Sequence, residues 1–313
     1  MHAKYAAMLL EQSTNCLFNS FALSLQWNCE KKFFMKNESC TAKSPIGVFD
    51  SGFGGLTILK EIRRVIPQYD YLYLGDNARA PYGSRSFDIV YRFTLEAVKY
   101  LFAQGCELVI LACNTASAKA LRSIQQNDLP GIDPERRVLG VIRPTTEVIG
   151  ELSGTRHVGI FATPGTIQSH SYDIEIAKLH PDMKTFGHAC PMWVPLIENK
   201  ESTGDGADYF VKKDIEQLLA LDPDIDTVIL GCTHYPLLLP KIKKYMPEGV
   251  KIVEQGSIVA ASLADYLQRH SAMEKRLSRG GSCRYLTTES AEKFGELAKV
   301  FLGEEITPEH IDL

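Results

Sequence analysis

Two segments of this chain carry nearly the same pattern: Leu108 to Ala116 reads LVILACNTA, and Thr227 to Tyr235 reads TVILGCTHY. Each is an apolar run of strand length that ends in a small residue, a cysteine, and then hydroxyl, amide or imidazole side chains. A second pair stands upstream at nearly the same spacing. Ile46 to Gly54 (IGVFDSGFG) lines up with Val158 to Thr166 (VGIFATPGT), sharing an apolar-Gly-apolar-Phe strand and a hydroxyl two residues past the phenylalanine. Two matches at nearly one offset indicate an internal duplication. The chain must then fold as two copies of one arrangement, each ending a strand with a thiol and able to face the other across a cleft.

From Pro45 onward, apolar strands alternate with amphipathic helices. Strands are predicted at 46–49, 70–74, 107–111, 138–141, 157–161, 184–188, 226–230, 251–253 and 284–287. Helices are predicted at 54–66, 86–104, 115–126, 144–152, 166–180, 192–198, 205–221, 236–245, 256–269 and 289–302. That alternation implies parallel sheets covered on both faces, an α/β fold. We expect two similar parallel-sheet α/β domains related by a pseudo-twofold axis, with the active site between them. Residues 1–44 show no sustained period and read as an accessory N-terminal extension, with Met35 an alternative start. The first domain is expected over 45–140 plus 250–313 and the second over 141–249. The elements after 250 have no evident partner in the other copy and are expected to complete the first sheet.

Composition narrows the function classes. With 313 residues, 45% hydrophobic and 23% charged, the chain can bury an ordinary core. A net charge of −4 gives no basic footprint, so nucleic acid is not an expected partner. No apolar run approaches the roughly 18 residues of a membrane span. The apolar piece Tyr5 to Leu10 is too short for a signal peptide and is stopped by Glu11. The eight cysteines form no CxxC pair, so reduced thiols in a cytoplasm are the simpler reading.

Phe49 to Gly55 (FDSGFGG) is a strand, a glycine-rich turn and a helix start, a setting that favours an anionic group. The alternative is that Asp50 and Ser51 only cap the helix. Gly75 to Gly83 (GDNARAPYG) is a polar connection in which Tyr82 and Gly83 offer a hydroxyl and a bare amide, although a purely structural turn accounts for it equally well. Cys113-Asn114-Thr115 and Cys232-Thr233-His234 are the candidate chemistry. Helix N-termini and polar neighbours favour thiolate, whose unperturbed pKa is about 8.5. A metal is not expected: zinc wants three or four protein ligands, and His188 and Cys190 stand alone in the sequence. A Cys/His hydrolase needs one nucleophile and one base, which leaves the second cysteine motif unexplained.

Two opposed thiols suit a nearly symmetric reaction. One takes a proton from a stereocentre while the other returns one to the opposite face, so the pair must hold one thiolate and one thiol. That is racemisation or epimerisation with no cofactor.

At FDSGFGG (49–55), GDNARAPYG (75–83), ACNTASA (112–118), ACPMWVPLIE (189–198) and LGCTHYP (230–236), the chain resembles the glutamate racemases of the aspartate/glutamate racemase superfamily, from about Pro45 to the C-terminus. The resemblance implies a cofactor-independent interconversion of L- and D-glutamate that supplies D-glutamate for peptidoglycan. Carried over by motif, Cys113 takes the α-proton of D-glutamate and Cys232 that of L-glutamate, with Asp50 and His234 beside them. Ser51, Tyr82, Gly83, Asn114, Thr115 and Thr233 hold the substrate, and Glu198 matches a family glutamate near the site. The resemblance leaves room for a homodimer and for regulation by a cell-wall precursor, which occurs in part of the family. Arg143, in GVIRPTT, departs from the acidic residue many members carry before the proline, and so bears on the hinge or its partners. An aspartate racemase shares the two-thiol logic and is the alternative; a binding or regulatory protein on the same scaffold would not need two intact cysteine motifs.

Overall fold

The computed structural model describes residues 44–313; the predicted N-terminal extension, apart from Ser44, lies outside them. The described strands are β1 (Ile46–Asp50), β2 (Tyr71–Gly75), β3 (Leu108–Leu111), β4 (Arg137–Gly140), β5 (His157–Ala162), β6 (Lys184–Ala189), β7 (Thr227–Gly231), β8 (Lys251–Val253), β9 (Cys283–Thr287) and β10 (Pro308–His310). They form a six-stranded sheet in the order β10-β9-β2-β1-β3-β4 and a four-stranded sheet in the order β6-β5-β7-β8. All pairings are parallel. The chain is α/β, as its alternating pattern predicts.

The path β2-β1-β3-β4 recurs as β6-β5-β7-β8, so the sequence repeat is a repeat of topology. Here one expectation changes. β8 does not return to the first sheet: it pairs with β7, Val228 opposite Ile252, and is the counterpart of β4. It covers the open side of the fully buried β7 with three residues, of which only Val253 is buried. The return to the first sheet begins with β9, whose Tyr73↔Tyr285 pairing extends it beyond β2. β10 was not predicted, because a three-residue edge strand containing a proline and two polar residues carries no apolar run.

Burial follows position in the sheet. Every residue of β1, β2 and β7 is buried, whereas β6 and β10 have no buried residue. The helix Gln255–Arg269 packs along the helix Gly55–Val65. One apolar cluster then runs from Val48 and Leu59 through Leu263 to Trp193 and Tyr235, joining the two lobes into a shared core. Buried apolar area of this kind contributes roughly 25 cal/mol per Å², and here it fixes the two sheets around one cleft.

Two predicted helices are interrupted. The segment 115–126 breaks into Asn114–Lys119, Leu121–Ser123 and a π-turn at Ile124–Asp128. Pro130, in the following turn Leu129–Ile132, has no N–H to continue an α-helical ladder there. The segment 166–180 divides at His170, whose φ of 53° is left-handed.

Candidate active site

Register aligns the strand ends. Asp50 pairs with Gly75, Phe49 with Leu111 and Ala162 with Gly231, so the loops after β1, β3, β5 and β7 leave at the carboxyl ends of the sheets. β1 lies between β2 and β3, and β5 between β6 and β7. Each is a point where strand order reverses, the usual ligand position in open parallel sheets.

Cys113 is the N-cap of the helix Asn114–Lys119, and its Sγ accepts the Ala116 N–H at 3.4 Å. Ser51 Oγ lies 3.3 Å from the same sulfur. Sequence reasoning expected thiolate to be favoured here, and the site corrects that. Burial first, and then the Asp50 charge, push the Cys113 thiol up to about 12, against the opposing pull of the Ser51 and Ala116 hydrogen bonds. Asp50 is 1% exposed; its Oδ1 accepts the Gly52 N–H at 2.8 Å. Burial raises the Asp50 carboxyl, while the His234 charge and the Gly52 and Gly55 amides hold it back.

On the other side, Cys232 Sγ lies 3.9 Å from His234 Nδ1, and His234 Nε2 lies 2.9 Å from Glu198 Oε1. Burial alone would depress the His234 pKa. The hydrogen bonds to Cys232 and Glu198 outweigh it and lift the value from 6.5 to about 10. Protonated His234 therefore stabilises the folded state fully below about pH 6.5, and that contribution is lost as the pH rises through about 10. Glu198→Gln is expected to lower the melting temperature at about pH 6 and to leave it nearly unchanged above about pH 10. An equal shift at both ends of the range would assign the effect to another group.

The two halves meet through the residues that follow each cysteine. Thr233 Oγ1 reaches Asp50 Oδ2 at 3.5 Å, and Thr57 Oγ1 donates to the Thr233 carbonyl at 2.9 Å. Thr115 Oγ1 lies 2.9 Å from Thr163 Oγ1 and 3.3 Å from Thr166 Oγ1 in the opposite lobe. Gly54 is required at this crossing, since a Cβ there would stand 2.2 Å from Thr233 Oγ1 and 2.4 Å from His234 Nδ1.

Other predicted residues are committed in ways the sequence did not suggest. The Tyr82 hydroxyl, expected to face a ligand, donates instead to Asp76, which also takes Arg79 Nε at 2.7 Å. What Tyr82 and Gly83 can offer a ligand is backbone. The Gly83 carbonyl already accepts the Gly165 N–H at 2.7 Å across the lobes. Asn114 donates to Gln255 Oε1 at 2.7 Å and accepts from the Tyr172 hydroxyl at 2.7 Å, which leaves one amide N–H for a ligand. Gln255 Nε2 faces three acceptors, the Tyr172 hydroxyl, Thr145 Oγ1 and the Val141 carbonyl, which share its two N–H groups. Sequence reasoning missed Thr57, Thr163, Thr166, Tyr172 and Gln255. The repeat carried a signal for Thr163, the hydroxyl matched to Ser51. Tyr172 and Gln255 sit in helices with no fixed spacing to either cysteine.

The strand ends thus carry two buried thiols, each with its own polar neighbours. A family profile for Asp/Glu/Hydantoin racemase matches residues 56–263. The chain is 36% identical to a glutamate racemase of Streptococcus thermophilus over 270 residues, covering 86% of this chain and 96% of that protein. It superposes on a glutamate racemase isoform of Bacillus anthracis with a TM-score of 0.78 at 36% identity, covering 86% of this chain and 98% of that one. The Francisella tularensis glutamate racemase, solved in complex with D-glutamate, gives a TM-score of 0.76 at 32% identity, covering 86% and 98%. With twin cysteines at matched strand ends and likeness of this extent, the chain belongs to the aspartate/glutamate/hydantoin racemase family.

Proposed function

We propose that the protein racemises glutamate by proton transfer between Cys113 and Cys232, with no cofactor, and supplies D-glutamate for peptidoglycan. The observation that carries this reading is the placement of both thiols at the ends of equivalent strands, β3 and β7, with different charged neighbours. Cys113 takes the α-proton of D-glutamate and Cys232 protonates the opposite face; the reverse turnover exchanges the roles. The high proton affinity of Cys113 makes its thiolate a strong base, which a weakly acidic C–H requires. His234, cationic through neutral pH, supports negative charge on the Cys232 sulfur. Ser51, Thr115, Thr233, the free N–H of Asn114 and the Tyr82-Gly83 backbone bind the carboxylates and amino group. Glu198 acts through His234. A reducing cytoplasm keeps both thiols available, and a homodimer is compatible with this site.

The test is circular dichroism of the purified protein with L-glutamate, D-glutamate and both aspartates, without pyridoxal phosphate or added metal. Glutamate of either hand is expected to lose its optical activity and aspartate to keep it. Aspartate turnover in place of glutamate would favour the alternative substrate, and no turnover of any of the four would end the racemase reading.

Regulation by a cell-wall precursor is a second reading favoured by one groove. The Escherichia coli glutamate racemase was solved with L-glutamate and the activator UDP-MurNAc-ala. In this chain a groove of about 770 Å³ runs between the lobes, where Lys119, Arg122, Arg143 and Arg269 gather, offset by Glu147 and Glu175. Arg143, the departure from the family pattern, pairs with Glu147 at 2.9 Å on the rim of this groove.

A further inference from the structure

In the sequence, His188 and Cys190 stand alone as candidate metal ligands. The fold supplies a third donor. Asp214, on the helix Asp205–Leu219, packs against the end of β6, and one donor atom from each of His188, Cys190 and Asp214 lies within 4.8 Å of the others. His188 Nε2 stands 3.1 Å from Asp214 Oδ1. Asp214 is 4% exposed, yet its Oδ2 accepts no hydrogen bond from any described residue. A buried carboxylate oxygen without a donor is costly, and such atoms are scarce in folded proteins. The neighbouring Cys190 thiol lies against the Asp214 carboxylate, which adds to burial in pushing its pKa up, but a thiol is a weak donor and meets that need poorly; it also contacts the His188 carbonyl at 3.9 Å.

We propose that His188, Cys190 and Asp214 form a zinc site, with a water in the fourth position. Imidazole nitrogen, thiolate sulfur and carboxylate oxygen are the donors that zinc takes. In a tetrahedral site such donors stand about 3.5 Å apart. His188 and Asp214 are already that close at 3.1 Å, so what closure is needed, at most about 1 Å, falls to Cys190. On binding, the Cys190 S–H bond gives way to a Zn–S bond, and the thiol proton leaves to solvent. No oxidation or reduction is involved. The thiolate and the carboxylate together cancel the charge of a divalent ion, which suits a buried location. The site stands behind the catalytic turn rather than in it, because the Tyr235 hydroxyl, three residues past Cys232, donates to the Cys190 carbonyl at 3.3 Å. The ion therefore braces the lobe that carries Cys232 and takes no part in proton transfer.

The test uses full-length Cys113→Ser/Cys232→Ser protein, which removes the catalytic thiols as competing ligands, with Co²⁺ as the spectroscopic probe. One equivalent is expected to bind with a thiolate-to-cobalt charge-transfer band, to release one proton, and to be displaced by Zn²⁺. Adding Asp214→Asn is expected to weaken binding by at least about tenfold, and adding Cys190→Ser to abolish the band. A parent protein without the band, or a band that survives Cys190→Ser, overturns the proposal. If the serine variant does not fold by far-ultraviolet circular dichroism, His188→Gln takes its place, and undiminished Co²⁺ affinity in that variant overturns the proposal equally.

Discussion

Replacing either Cys113 or Cys232 by serine is expected to lower racemisation about 10³-fold in both directions, in line with the 10²–10⁴-fold worth of a positioned acid or base. A serine hydroxyl is a far weaker acid than a thiol, even one pushed up to about 12, so its conjugate base costs more to form and its proton is given up less readily. The fold should tolerate both changes. Cys113 already sits among hydrogen-bonding groups, Ser51 and the Ala116 N–H, and Cys232 faces His234, so a hydroxyl finds partners at either position. The measurement is loss of optical activity in water, paired with incorporation of solvent deuterium at the α-carbon. If deuterium still enters both enantiomers at the wild-type rate after either substitution, the two-base assignment is wrong.

Much of the frame was legible because buried parallel strands announce themselves as unbroken apolar runs. YLYLG and TVILG are buried at every position, and the repeat located both cysteines at once. Weakly patterned elements were not legible. β8 looked like the start of a return to the first sheet because three residues carry no mark of their partner, and β10 carried no pattern at all. The chemistry divides in the same way. Residues in contiguous motifs, such as Asp50-Ser51 and Thr233-His234, could be placed from the sequence. The Glu198–His234 pair depends on the helix Trp193–Glu198 packing beside the turn at Tyr235–Leu238, and the Asn114–Gln255–Tyr172 network on three separate elements. The balance of forces on a group was least legible. A cysteine at a helix start suggested easy ionisation, yet burial and the Asp50 charge outweigh the Ala116 and Ser51 hydrogen bonds at Cys113.

That asymmetry supplies the second large expected effect. Asp50→Asn and His234→Asn are each expected to lower kcat/KM about 10²-fold, but neither can do so in one direction alone. L- and D-glutamate are equally stable, so the two kcat/KM values must remain equal in any variant. The division of labour has to appear elsewhere, in which proton transfer limits the rate. The negative charge of Asp50 strengthens Cys113 as a base, so Asp50→Asn raises the barrier at Cys113 and retains an acceptor for the Gly52 N–H. His234→Asn removes the cation beside Cys232 together with the link to Glu198, and raises the other barrier. With α-deuterated D-glutamate, whose labelled bond is broken at Cys113 in the proposed mechanism, the primary isotope effect on kcat/KM should grow in Asp50→Asn and shrink in His234→Asn. With α-deuterated L-glutamate the two variants should exchange behaviour. If both shift the isotope effects alike for both enantiomers, the neighbours serve the cleft as a whole, and the pairing of Asp50 with Cys113 and of His234 with Cys232 must be abandoned.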